Sequence, residues 1–137
     1  MADTLTLEEG LRLLQVCLDK ARGMGINVSV SVVDGSGIQI CAAKMDRAGF
    51  LTPEIAFGKA FAAAAFKRTG REMGEQWAPG APVPTAMIAR NGGRFVPSQG
   101  SVPIKVGNDV IGAIGASGAK ASEDEEVAQA GVDALRR

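Results

Sequence analysis

An α+β domain, a mainly antiparallel sheet with helices packed on it, is predicted by three observations. Two segments alternate apolar and polar residues around tight turns, which marks two β-hairpins. Segments with helical spacing stand at both ends of the chain and between the hairpins. No strand follows the last helix, so no β–α–β unit closes there. At 137 residues, 46% of them hydrophobic, the chain suits one core and one domain, residues 1–137.

Thr6 and Glu9 stand at capping-box spacing, and Leu7, Leu11, Leu14, Leu18 and Ala21 then recur at helical intervals, with Gly23 as the expected stop. From Asn27 to Val33 the period becomes two. Val28, Val30 and Val32 share one face and Ser29 and Ser31 the other. Asp34-Gly35-Ser36-Gly37 is a turn sequence, and Ile38, Ile40 and Ala42 resume the alternation, so Asp34 reads as a turn residue.

Thr52, Pro53 and Glu54 read as an N-cap, a first-turn proline and an acid at the positive helix end. The helix they open, Ile55 to Phe66, is apolar nearly all round and is expected to be buried. Arg71 to Trp77 suggests a short helix after Gly70, and Ala78 to Pro84, with three prolines and a glycine, an ordered crossing loop. Thr85 to Arg90 is read as a strand ended by Asn91-Gly92-Gly93. Val102 to Val106 and Val110 to Ser117 flank the second hairpin turn. Ser122 and Glu125 repeat the capping-box spacing at the start of the last helix.

Composition excludes several functions. Lys plus Arg and Asp plus Glu both number 15, so no basic surplus exists to neutralise a phosphate backbone, and a nucleic-acid partner is not expected. No stretch is long and apolar enough for a bilayer, and Met1 to Glu9 does not resemble a secretory signal. Cys17 and Cys41 form neither a metal pattern nor a disulfide framework, which points to a cytoplasmic protein with reduced thiols. The chain has no His and no Tyr. The commonest general base and metal ligand, and two usual haem ligands, are thereby missing. No metal site is expected. Gly112, Gly115 and Gly118 depart from dinucleotide-loop spacing and read as close packing or a subunit contact, the latter giving the expectation of a homo-oligomer.

Eight residues are candidates for a site, each with a plainer reading beside it. Lys59, alone among apolar neighbours, either binds or deprotonates a small acid or reaches a salt bridge along its stem, and because its helix offers no polar face it is expected to face a ligand cleft. Asp46 and Arg47 follow the second strand, where charges converge on a ligand or serve a turn. Lys59 and Asp46 are the catalytic candidates. Arg68 and Arg71 flank the buried helix's negative end and either cap it or clamp an anion. Gly100 and Ser101 lie in a segment, 98–101, whose amides suit a ligand or an oxyanion, or a simple loop. Trp77 suits a pocket wall or a core lid. Ser117 has no histidine to activate it.

Val32-Val33-Asp34 with Gly37, Lys44-Met45-Asp46, Gly58-Lys59-Ala60, Val102-Pro103-Ile104 and the run from Gly112 to Gly118, followed by Asp124 and Gly131, give the chain an end-to-end resemblance to the GlcG/HbpS family. That family is also called DUF336 or haem-degrading, and includes the carboxy-terminal domain of some corrinoid adenosyltransferases. The resemblance implies a five-stranded antiparallel sheet, assembly into dimers or rings, and a cleft that takes haem in some relatives. Histidine ligation cannot carry over, and Gly100-Ser101-Val102 stands where the family pattern has two glycines before Pro-Ile. Three function classes follow: a binding protein for a small anionic or planar ligand, a cofactor-independent isomerase or lyase acting on a small organic acid, and a structural subunit.

Overall fold

The computed structural model describes residues 4–137, and the part of the amino-terminal reading that rests on residues 1–3 lies outside the described residues. The elements are α1 (Leu7–Met24), β1 (Ser29–Asp34), β2 (Gln39–Lys44), α2 (Thr52–Phe66), α3 (Gly70–Gln76), α4 (Pro82–Arg90), β3 (Ser101–Val106), β4 (Asp109–Ser117) and α5 (Ala121–Asp133). The strands form one antiparallel sheet in the order β2-β1-β4-β3. Helices α1 and α5 cover one face, and α2 covers the other.

The sheet therefore has four strands and not the expected five, because residues 82–90 coil into α4. Pro82 and Pro84 sit in its first turn, where the missing N–H has no intrahelical acceptor to lose. Thr85 then donates both its N–H (3.2 Å) and its hydroxyl (2.7 Å) to Ala81 O. The residues after it, Ala86 and Met87, favour helix over strand. The expected crossing loop consequently ends at Ala81.

Local chemistry sets most other boundaries. Thr6 and Glu9 cap α1 reciprocally, and Arg137 grips Glu9 at 2.9 Å, closing the two ends of the chain together. The Arg137 hydrogen bond, with the Thr6 N–H, lowers the Glu9 carboxyl to about 2. α1 runs past Gly23 and stops at Gly25, whose φ of 70° places it in the left-handed region. Thr52 is not the N-cap of α2; Leu51 is, and Thr52 turns its hydroxyl to Gly49 O at 2.7 Å. α5 starts earlier than Ser122. Glu123 accepts the N–H of Lys120, its N-cap, at 3.1 Å.

Two cores lie on the two sheet faces. Leu13, Cys17, Val28, Val30, Val32, Ile104, Ile114 and Val127 fill the space beneath α1 and α5. Each large aliphatic side chain fully buried there contributes roughly 1.5–3 kcal/mol. On the other face Val33, Ala113, Met73 and Phe95 pack against the alanines of α2, and the expectation of a buried helix holds. The serine face of β1 is no exception to burial. Ser29 and Ser31 lie under α2 and satisfy their hydroxyls on Thr52 and Gln39, both at 2.8 Å.

Gly112 to Ser117 is also interior, so it is not the subunit contact expected of it. A Cβ on Gly115 would lie 2.2 Å from Ala56 O and 2.7 Å from Ala60 N, so the small residues let α2 rest directly on β4. Among the described residues no helix is long and apolar enough to cross a membrane.

Candidate functional site

Lys59, Gly100 and Asp124 meet where α2 and the start of α5 converge beside β3. The Lys59 ammonium donates to Ala116 O at 3.0 Å and to Asp124 Oδ2 at 3.3 Å, and the two residues are only 5% and 3% exposed. Asp124 also accepts the Ala119 N–H at 3.1 Å. Burial pushes the Asp124 carboxyl upward, and the Lys59 charge opposes that rise. Gly100 makes room for the amine: its φ is 129°, and a Cβ there would stand 2.6 Å from Lys59 Nζ. The lysine expected to face a ligand cleft is thus an internal tie between α2, β4 and α5. A cleft facing was inferred because α2 offers no polar face; the partner that resolves this comes from a residue 65 positions away.

Ser101, next to Gly100, is wholly buried, and its hydroxyl has no hydrogen-bond partner. It lies under Gly70, whose Cβ would stand 2.8 Å from the Ser101 oxygen. The other candidates do not join this junction. Asp46 is exposed and lines a cleft of about 350 Å³ with Arg22, Asn27, Lys44 and Met45 on the opposite edge of the sheet. Arg47 is exposed in the same turn with a φ of 72°. Arg68 does not cap α2, because Lys67 does, donating its N–H to Ala63 O at 2.8 Å; Arg68 reaches instead to the Gln76 side chain. Arg71 pairs with Glu75 at 3.9 Å and Glu125 at 3.6 Å. Asp34 serves its turn, accepting the Ser36 N–H at 2.8 Å and the Ile38 N–H at 3.1 Å.

A different region has the form of a small-molecule pocket. Phe66, Trp77 and Phe95 stack edge-on, with ring centroids 5.0 and 5.4 Å apart for the Phe66–Trp77 and Phe66–Phe95 pairs. Trp77 is half-buried, and one side of its surroundings opens into a cavity of about 320 Å³. Met73 and Gly74 from α3, Pro84, Thr85 and Ile88 from α4, and Pro79 and Pro97 complete the walls. Three prolines with fixed φ and a ring locked by its aromatic neighbours make these walls stiff. The volume and the apolar lining with one hydroxyl are those of a preformed ligand site.

Comparison with known proteins places this arrangement. The family model described as haem-degrading protein, HbpS-like, matches residues 5–133. The chain belongs to the HbpS-like family. An uncharacterised 15.0 kDa protein from the dhaT–dhaS intergenic region of Citrobacter freundii is 29% identical over 130 residues, which cover 95% of this chain and 91% of that protein. The crystal structure of ORFY, a DUF336 protein of Klebsiella pneumoniae, superposes with a TM-score of 0.89 at 28% identity, covering 99% of this chain and 95% of ORFY. The structure of a PduOC–haem complex superposes with a TM-score of 0.86 at 26% identity, covering 97% and 96% of the two chains.

In this HbpS-like chain the segments that carry the resemblance have clear packing roles. Gly58 lets residues 94–96 cross α2, since its Cβ would lie 2.4 Å from Val96 Cγ2; Lys59 ties α5; Ala60 seats on Gly115. The residues that sequence reasoning missed are those of the Trp77 pocket, above all Met73, Gly74, Ile88 and Pro97. One signal was available: Phe66, Trp77 and Phe95 are three of only six aromatic residues, and the prolines cluster beside Trp77.

Proposed function

We propose that this HbpS-like protein binds a small planar, largely apolar ligand of the tetrapyrrole type against Trp77. The observation that carries the reading is the stiff apolar pocket of about 320 Å³ walled by Trp77, Met73, Pro84, Ile88 and Pro97. A flat ring system gains area against the indole and the prolines at little cost in ordering them. Arg68, held by Gln76 one position before Trp77, supplies a cation close by for acidic substituents. A haem complex of PduOC supports the ligand class.

The residues present fit the planar body of such a ligand and not a bond from protein to iron. The chain has no histidine or tyrosine. Burial raises the Cys17 thiol to about 12 and pushes Cys41 up as well, so neither offers a ready thiolate. Met73, one of the residues around the pocket, is fully buried in the core. Affinity therefore resides in the ring and its substituents.

Gly74 provides the test, because a Cβ there meets nothing within 4 Å while the residue lines the pocket. Gly74→Leu is expected to weaken binding of metal-free protoporphyrin at least tenfold, about 1.4 kcal/mol, without lowering the melting temperature. Haem and the metal-free ring are expected to bind the unaltered protein within about threefold of each other, about 0.7 kcal/mol. Unchanged porphyrin affinity in a folded Gly74→Leu protein would assign the ligand to another surface.

A further inference from the structure

We propose that α4 is a lid on the Trp77 pocket, swinging as one piece about Gly80 and the Gly92-Gly93 pair to admit the ligand, an inference that rests on the pocket taking a tetrapyrrole. Pro84, Thr85 and Ile88 of α4 line the pocket together with Met73, Trp77 and Pro97. The two groups are attached differently. Met73 is fully buried, and Trp77 donates its N–H to Met73 O at 3.1 Å and stacks on Phe66. After the lid the chain is fixed again where the Val96 N–H meets Gly58 O at 3.1 Å. Among the described residues, every hydrogen bond made by residues 81–94 ends within 78–94, as in Thr85 to Ala81, Gly93 to Ile88 and Arg94 to Asn91. Pro84 is the one buried residue of α4, and Met87, half-buried, packs against the core beneath α2. Val83 and Ile88 remain 52% and 41% exposed. A nine-residue helix held by two side chains belongs to the least stable part of a fold.

Both ends of α4 are built to turn. Gly80, Gly92 and Gly93 have φ of 77°, 61° and 79°, and a Cβ on any of them would meet nothing within 4 Å, so neither hinge is packed against the body. Between the hinges the segment is stiff. Pro82 and Pro84 fix its first turn, and the Asn91 side chain donates to Met87 O at 2.7 Å in its last. Stiff pieces joined by free hinges move as rigid bodies. The ligand requires the movement: the pocket's volume of about 320 Å³ lies near the bottom of the range for ligand sites, roughly 300–1,000 Å³, and a tetrapyrrole is larger than the ligands that fill so small a space. Trp77 and Met73 are held by the core, so α4 is the wall that retreats.

Stopped-flow mixing of the full chain with metal-free protoporphyrin, followed by quenching of the fluorescence of Trp77, the only tryptophan, tests this. In the unaltered protein the observed rate is expected to level off as porphyrin increases, because opening of α4 becomes limiting. Met87→Ala loosens the lid's hold on the core without altering the residues that line the pocket, so a larger open fraction is expected to speed association at least about threefold. Val83→Ala, on the exposed side of α4, is expected to leave association within about twofold of the original. Circular dichroism checks the fold of each variant. A rate that climbs linearly with porphyrin in the unaltered protein would overturn the lid and leave the ligand in an open pocket. Unchanged association in folded Met87→Ala, even with faster dissociation, would equally overturn it and make Met87 a support only. Absence of quenching in every protein would instead remove the tetrapyrrole from this pocket, and the lid's role with it.

Discussion

Replacing Lys59 with Met is expected to destabilise the protein by about 3–5 kcal/mol, because it leaves the Asp124 carboxylate enclosed without its counter-charge. The methionine retains most of the stem's packing, so the loss reports the charge. Changing both partners, Lys59→Met with Asp124→Leu, is expected to recover a large share of that loss, since no lone charge then remains buried. The deficit also depends on pH, and its sign is fixed. Burial raises the Asp124 carboxyl in the folded state, so the folded protein takes up the proton before the unfolded chain does. Neutralisation removes the buried charge. The deficit of Lys59→Met is therefore full at neutral pH and shrinks as the pH falls through the folded-state value. Urea unfolding between pH 4 and 7 measures this. A folded Lys59→Met protein of undiminished stability that has lost porphyrin binding would return the lysine to the ligand site.

The second large effect concerns the contact between α2 and β4. Gly115→Ala is expected to cost about 3 kcal/mol, since the new carbon would stand 2.2 Å from Ala56 O and neither backbone can retreat without moving its element. Gly74→Ala is the control: nothing lies within 4 Å of its Cβ, and stability is expected to change by less than about 1 kcal/mol. Both follow from thermal or urea midpoints. Equal stability in the two variants would contradict the packing described for α2.

How much of this was legible in sequence depends on whether the cause was local. Thr6 with Glu9, the hairpin turn at Asp34, and the apolar length of α2 are local causes, and each element stands where its residues place it. The segment 85–90 misled because its helix is set by Pro82 and Pro84 upstream, which read as loop breakers until their place in a first turn is known. Lys59 is the instructive case. Its chemistry correctly demanded a partner, but Asp124 lies 65 residues away, and only the closure of α5 onto α2 brings them together. The Trp77 pocket was hidden for a related reason. Trp77 itself reads as a pocket-wall candidate in sequence, but the other walls come from α3, α4 and Pro97, and apart from Thr85 none of those residues carries a group that reads as chemistry.

Trp77 is the only tryptophan, so a two-dimensional nitrogen–proton spectrum contains one indole signal. That signal tests the central claim most directly. A planar aromatic ring bound against Trp77 must shift the indole proton through its ring current as metal-free protoporphyrin is added. The account predicts a saturable shift, or exchange broadening, of this one signal in the unaltered protein and its loss in Gly74→Leu. An indole signal that stays in place while the porphyrin binds would contradict it.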